Sequence, residues 1–77
     1  MKIHVHLHGI LRDLLAAEAK GRTTIDLENG ANVAELLAQL GINRRVIVAV
    51  NDNPNVSKTY ALHNADRVVV YTMIGGG

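Results

Sequence analysis

A chain of 77 residues without cysteine has room for one domain, which buries roughly 60% of its unfolded surface, and it has no disulfide, thiolate metal site or cysteine nucleophile. Eight basic and seven acidic side chains leave a net charge of +1, scattered singly except at Arg44-Arg45, so there is no stripe to neutralise a run of nucleic-acid phosphates. Apolar residues at 48%, with aromatic rings of the Phe, Tyr and Trp class only at Tyr60 and Tyr71, describe a globular domain with an aliphatic core and exclude a disordered chain or a coiled coil.

In chain order, residues 2–8 read Lys-Ile-His-Val-His-Leu-His, where Ile3, Val5 and Leu7 alternate with His4, His6 and His8 as in a half-buried strand. No apolar run here is long enough for a signal peptide or a membrane span, so the cytoplasm is the expected compartment and no membrane partner is expected. Gly9 breaks the alternation. Ile10, Leu11, Leu14 and Leu15 then recur at helical spacing in an Ala-rich stretch up to Lys20-Gly21, which predicts a short helix. Thr23, Ile25 and Leu27 alternate with Thr24, Asp26 and Glu28, a second strand that ends at the turn pair Asn29-Gly30.

The clearest helix follows. Asn32 is its N-cap, Glu35 stands in capping-box position, and Val33, Leu36, Leu37 and Leu40 form an i, i+3, i+4, i+7 stripe. Gly41 suits a left-handed C-cap, with Ile42 placed to fold back on the helix. Residues 46–50, Val-Ile-Val-Ala-Val, are β-branched apart from Ala49, which predicts an interior strand covered on both faces. Asn51-Asp52-Asn53-Pro54-Asn55 is turn chemistry throughout. Val56, Tyr60 and Leu62 are the expected anchors of residues 56–66, with a turn at Asn64-Ala65-Asp66. Residues 68–74 then make a final strand that runs into Gly75-Gly76-Gly77.

Strands around one well-capped helix predict an α+β domain over residues 1–74, a single sheet covered by the helix on one face, followed by a flexible glycine tail at residues 75–77. On the open face, either Val69, Tyr71 and Met73 or their alternates Val68, Val70 and Thr72 lie beside the tail as an apolar docking surface. Terminal glycines are often merely unanchored. Glycine also threads a narrow channel, because it lacks Cβ, and three extended residues reach about 10 Å, enough to carry a terminal carboxylate into a partner's active site.

Other chemistry finds little support. His4, His6 and His8 share one strand face, and His at i, i+2 can ligate zinc, but no Cys and no carboxylate at ligand spacing completes a site, so a solvated surface is the expected role. Asp13, Asp26 and Asp66 show no paired-carboxylate spacing, and Ser57 has no base beside it. An autonomous enzyme is not expected.

Gly30-Ala31-Asn32-Val33-Ala34-Glu35-Leu36-Leu37 at the helix start, Val48-Ala49-Val50-Asn51 at the strand and turn, Leu62 to Val68 with Asp66 near its end, and the Gly76-Gly77 terminus together resemble the MoaD/ThiS family of ubiquitin-like sulfur carriers. The resemblance covers most of the chain. It implies a β-grasp fold, with the first and last strands parallel in the middle of a mixed sheet. It further implies that an adenylyltransferase of the ubiquitin-activating type uses ATP to activate Gly77, and that a sulfur donor converts the adenylate to a thiocarboxylate for a sulfur-accepting synthase subunit. Gly77 and Gly76 are then the reacting end, Gly75, Ile74, Met73 and Tyr71 meet the partners, and no cofactor is held permanently. Arg12-Asp13-Leu14-Leu15 is more like the molybdopterin-synthase small subunits and the triple glycine more like the thiazole-forming carriers, so the pathway is open between molybdopterin and thiamine thiazole. A ubiquitin-like protein modifier conjugated through Gly77, and a plain β-grasp interaction module, are the alternative readings.

Overall fold

The alternation of His with aliphatics becomes strand β1, Lys2–Leu7, with Ile3, Val5 and Leu7 buried and the histidines on the opposite face, as the two-residue period of a strand requires. The coordinates are a computed structural model and describe residues 1–72. Expectations for Met73, Ile74, Gly75, Gly76 and Gly77 therefore lie outside the described residues. Strand β2, Arg22–Asp26, pairs antiparallel with β1, Ile3 opposite Ile25 and His6 opposite Arg22.

Between β1 and β2 the helical expectation is corrected. The chain forms two short 3-10 helices, Gly9–Leu14 and Ala17–Ala19, with Leu15 and Ala16 extended between them. Leu11 is buried, but Ile10 and Leu14 are 59% and 49% exposed. The cause is the connection itself. Its ends are tied by the Leu7 N–H donating to the Gly21 carbonyl at 2.6 Å, whereas one α-helix from Ile10 to Lys20 would run about 16 Å away from that closure. Gly21 sits at φ +80°, and a Cβ there would collide with the Leu7 carbonyl oxygen, so this close approach requires glycine.

Helix α1, Val33–Leu40, forms as its end signals predict: the Asn32 side chain accepts a hydrogen bond from the Glu35 N–H, and Gly41 closes the helix at φ 78°. The Ile42 N–H returns to the Leu37 carbonyl at 2.9 Å, and Ile42 is buried, the fold-back of a helix C-cap. Val33, Leu36 and Leu37 join Ile3, Val5, Leu7, Val48, Val50, Val68 and Val70 in one core.

Strand β3, Val46–Val50, and strand β4, Arg67–Thr72, complete a four-stranded sheet of order β2-β1-β4-β3. As the resemblance implies, β1 and β4 lie parallel in the centre, Val5 opposite Val68 and Leu7 opposite Val70. The interior position expected for β3 is corrected: it is an edge strand, antiparallel to β4. Val48 and Val50 turn into the core with half-buried Val46 packed against it, while Ile47 and Ala49 are half-buried on the opposite face. Its apolar run therefore serves two different surfaces, and the Val56 N–H capping the Val48 carbonyl at 2.8 Å protects part of the edge.

Residues 56–66 support the helix start. Leu62 is buried, and Val56 and Tyr60 pack against the core. The Val33 and Ala34 N–H groups, which have no partner within their own helix, donate to the Tyr60 and Lys58 carbonyls at 3.1 and 2.9 Å. Asp66, 7% exposed, accepts from Asn51 Nδ2 at 2.7 Å and the His63 N–H at 2.8 Å, and Asn51 Oδ1 accepts from the Arg67 N–H at 2.8 Å. This lock sets the register at which β4 enters the sheet. Asp66→Ala strands two part-buried donors and should cost about 1–3 kcal/mol in urea unfolding. A change below about 0.5 kcal/mol would show that the lock contributes nothing.

Candidate functional site

With α1 packed over one face, the other face of the sheet carries the alternate side chains: His4 and His6 from β1, Arg22 and Thr24 from β2, Arg67, Val69 and Tyr71 from β4, Ile47 and Ala49 from β3. Of the two alternation sets left open for the last strand, Val68 and Val70 are buried, and Val69 and Tyr71 face outward. Strand pairing brings Tyr71 opposite Ile47 and places Val69 between His6 and Ala49. The β-branched run of β3 concealed the contribution of Ile47; reading its alternate residues against those of the last strand exposes it.

Tyr71 marks the end of the face from which the chain continues as Met73-Ile74-Gly75-Gly76-Gly77. The His8 N–H donates to the Val70 carbonyl at 3.0 Å, extending the β1/β4 ladder one residue past the strand. The His8 ring consequently meets Tyr71 edge-on with centroids 5.7 Å apart, while the His6 ring lies 4.2 Å from that of His8. Edge-to-face packing suits the quadrupole of the phenol ring and holds Tyr71 beside the base of the tail. His4 takes a different partner, with Nδ1 3.3 Å from Thr24 Oγ1. The three histidines thus divide into a pair near Tyr71 and one near β2. Among the described residues no group of three or more His, Cys, Asp or Glu side chains gathers as a metal site.

His6 is held below the ordinary histidine pKa by burial first, then by the neighbouring His8 and the Arg22 and Arg12 guanidiniums. It is therefore mainly neutral near pH 7. The unfolded chain takes up this proton more readily than the native one, so stability falls as pH drops through the ordinary histidine range and levels off below the native pKa. Thermal unfolding from about pH 7.5 to about pH 5 should show that loss, and His6→Gln should flatten the slope. An unchanged slope in the variant would assign the effect to other groups.

Among the described residues no helix is long and apolar enough to cross a membrane. The family model for the ThiS family matches residues 5–77. A search of curated proteins returned no match. Two solved structures share the fold: SAMP1 from Haloferax volcanii, at 15% identity and TM-score 0.75 with all of both chains covered, and the H. volcanii small archaeal modifier protein 1, at 12% identity and TM-score 0.77 with 95% of this chain and 98% of that one covered. At these identities they establish the architecture, a ubiquitin-like β-grasp sheet. The family match runs from within β1 through every later strand and the helix to the final glycine, and the chain accordingly belongs to the ThiS family.

Proposed function

We propose that this protein carries sulfur as a thiocarboxylate on Gly77 for the synthesis of a sulfur-containing cofactor of the molybdopterin or thiamine-thiazole class. The observation that carries the reading is the ThiS-family match reaching through residue 77, in a chain that has no cysteine to hold sulfur elsewhere. A carboxylate is a poor electrophile. An adenylyltransferase of the ubiquitin-activating type would join the Gly77 carboxylate to the α-phosphorus of ATP and release pyrophosphate. Hydrosulfide-level sulfur from a donor then attacks the acyl carbon and expels AMP. ATP and the catalytic side chains belong to the partner, and this chain is a co-substrate in the cytoplasm, with no permanent cofactor.

The mounting of the tail supports this role. β4 is hydrogen-bonded to a neighbour on each side, so the chain up to Thr72 is anchored, and five further residues reach at most about 18 Å. The open-face surface around Tyr71, with Ile47 beside it and Met73, Ile74 and Gly75 following in sequence, is the proposed seat of both the activating enzyme and the sulfur-accepting synthase subunit. One tail cannot occupy two active sites, so the two partners exclude each other.

A second reading draws on the likeness to the archaeal modifier protein structures: the same activated Gly77 acylates a lysine and forms an isopeptide. Intact-mass analysis of protein purified from its native host separates the readings. Exchange of one terminal oxygen for sulfur, a gain of about 16 Da from the atomic-mass difference, marks the carrier. Conjugate ladders mark the modifier, and a terminus found only as the free carboxylate under sulfur-replete growth would overturn both.

A further inference from the structure

The open face has a second feature, which extends from its middle to the end where β4 enters the sheet. His4, His6, Arg22, Thr24, Arg67, Asn51 and Asp52 surround an open trough of about 640 Å³, with Val69 at its floor. Arg67, at the far wall, stands about 16 Å along the strand from Thr72, and Val69, at the floor, about 10 Å.

The trough is electrically one-sided. Strand register sets His6 opposite Arg22 and His4 opposite Arg67, while Arg12 lies outside the trough, its side chain against Gly21 just before β2. Against these stands Asp52, 4.0 Å from Arg67 with its side chain 96% exposed. That pair is weak in open solvent. Asp26 is engaged at the sheet edge by Lys2, 3.0 Å away. Two guanidiniums, Arg22 and Arg67, with His4 and His6 beside them, thus face one loosely held carboxylate across a concave surface with an aliphatic floor.

We propose that this trough is a docking site for an acidic segment of a partner protein, one that presents Asp or Glu side chains to Arg22 and Arg67 around an apolar residue on Val69. Charge complementarity selects the occupant. Guanidinium forks pair bidentately with carboxylates, and a divalent cation would be repelled by the same charges. Nucleic acid fits less well, because a single-stranded chain binds through stacked aromatics and a run of cations; the trough has no Phe, Tyr or Trp on its walls, and an acidic side chain stands in it. The site is independent of the tail chemistry and stands whether or not Gly77 is activated.

The test is titration of the full-length, ¹⁵N-labelled protein with a blocked poly-glutamate decapeptide, following backbone amides by NMR. Saturable shifts should centre on Thr24, Arg67 and Val69, shrink as salt is raised, and be absent with a poly-lysine decapeptide. Arg22→Glu combined with Arg67→Glu should weaken binding at least about tenfold, with the dispersed spectrum showing that the fold is intact. Arg22→Ala with Arg67→Ala, which introduces no repulsion, should weaken it less. Gly76→Val should leave the titration unchanged, which separates this site from the tail. Shifts that survive both arginine replacements, equal shifts from inorganic phosphate at matched charge, or tighter binding of a single-stranded oligonucleotide would each overturn the proposal.

Discussion

Leu36→Ala should remove about 2–5 kcal/mol of stability, the largest loss available from a single helix position. Leu36 is fully buried in the middle turn of α1 and belongs to the cluster that includes Ile3, Leu7, Val50, Val68 and Val70. The truncation forfeits the transfer energy of the missing carbons and leaves a cavity, which the central strands cannot fill because each is hydrogen-bonded to a neighbour on both sides. At the usual marginal stability per residue, a chain of this length holds roughly 4–12 kcal/mol in all. The variant is therefore expected to be substantially unfolded at mild urea concentrations where the native protein is intact. Gln39→Ala, on the exposed face of the same helix, should change stability by about 0.5 kcal/mol or less. Equal losses for the two would mean that α1 does not bury the stripe Val33, Leu36, Leu37.

That stripe was legible in the sequence because its local signals agree. Asn32, Glu35 and Gly41 mark the ends and the apolar spacing marks the face, so tertiary packing had nothing to overrule. The connection from Gly9 to Gly21 shows the opposite case. Ile10, Leu11, Leu14 and Leu15 have helical spacing, yet the constraint that decides their conformation is the closure of Leu7 onto Gly21, which joins residues fourteen apart and leaves no periodicity to read. Likewise the run Val46 to Val50 records that both sides of a strand carry apolar side chains, without recording that one side is core and the other an open face. The apolar part of the candidate site was half visible for that reason: Tyr71 stood out as an aromatic near the tail, and Ile47 did not. The trough was invisible, since Arg22, Arg67 and His4 come from three strands and only the β2-β1-β4 order brings them together.

Deleting Gly77 should abolish adenylation while leaving the melting temperature within about 1–2 °C of the native value. The deletion withdraws the terminal carboxylate by about 3.3–3.6 Å, and an attacking group needs its target within a fraction of that distance to react. Gly76→Val should fail for a different reason, since a β-branched side chain would fill the narrow channel that the proposed activation requires and remove backbone conformations that glycine reaches freely. Among the described residues the buried core runs from Ile3 to Val70, and both changes are confined to the last two residues of the chain, so little stability is expected to be lost. Stability and activity are therefore expected to separate cleanly, in contrast to Leu36→Ala, which should lower both together. The measurement is ATP–pyrophosphate exchange catalysed by the cognate adenylating enzyme, run beside thermal unfolding of each variant. Gly76→Ala, with one small methyl, should retain intermediate exchange and show that the loss follows side-chain bulk. Normal exchange by folded protein lacking Gly77 would mean that the partner activates some other group, and the assignment of the reacting carboxylate to the tail would be wrong.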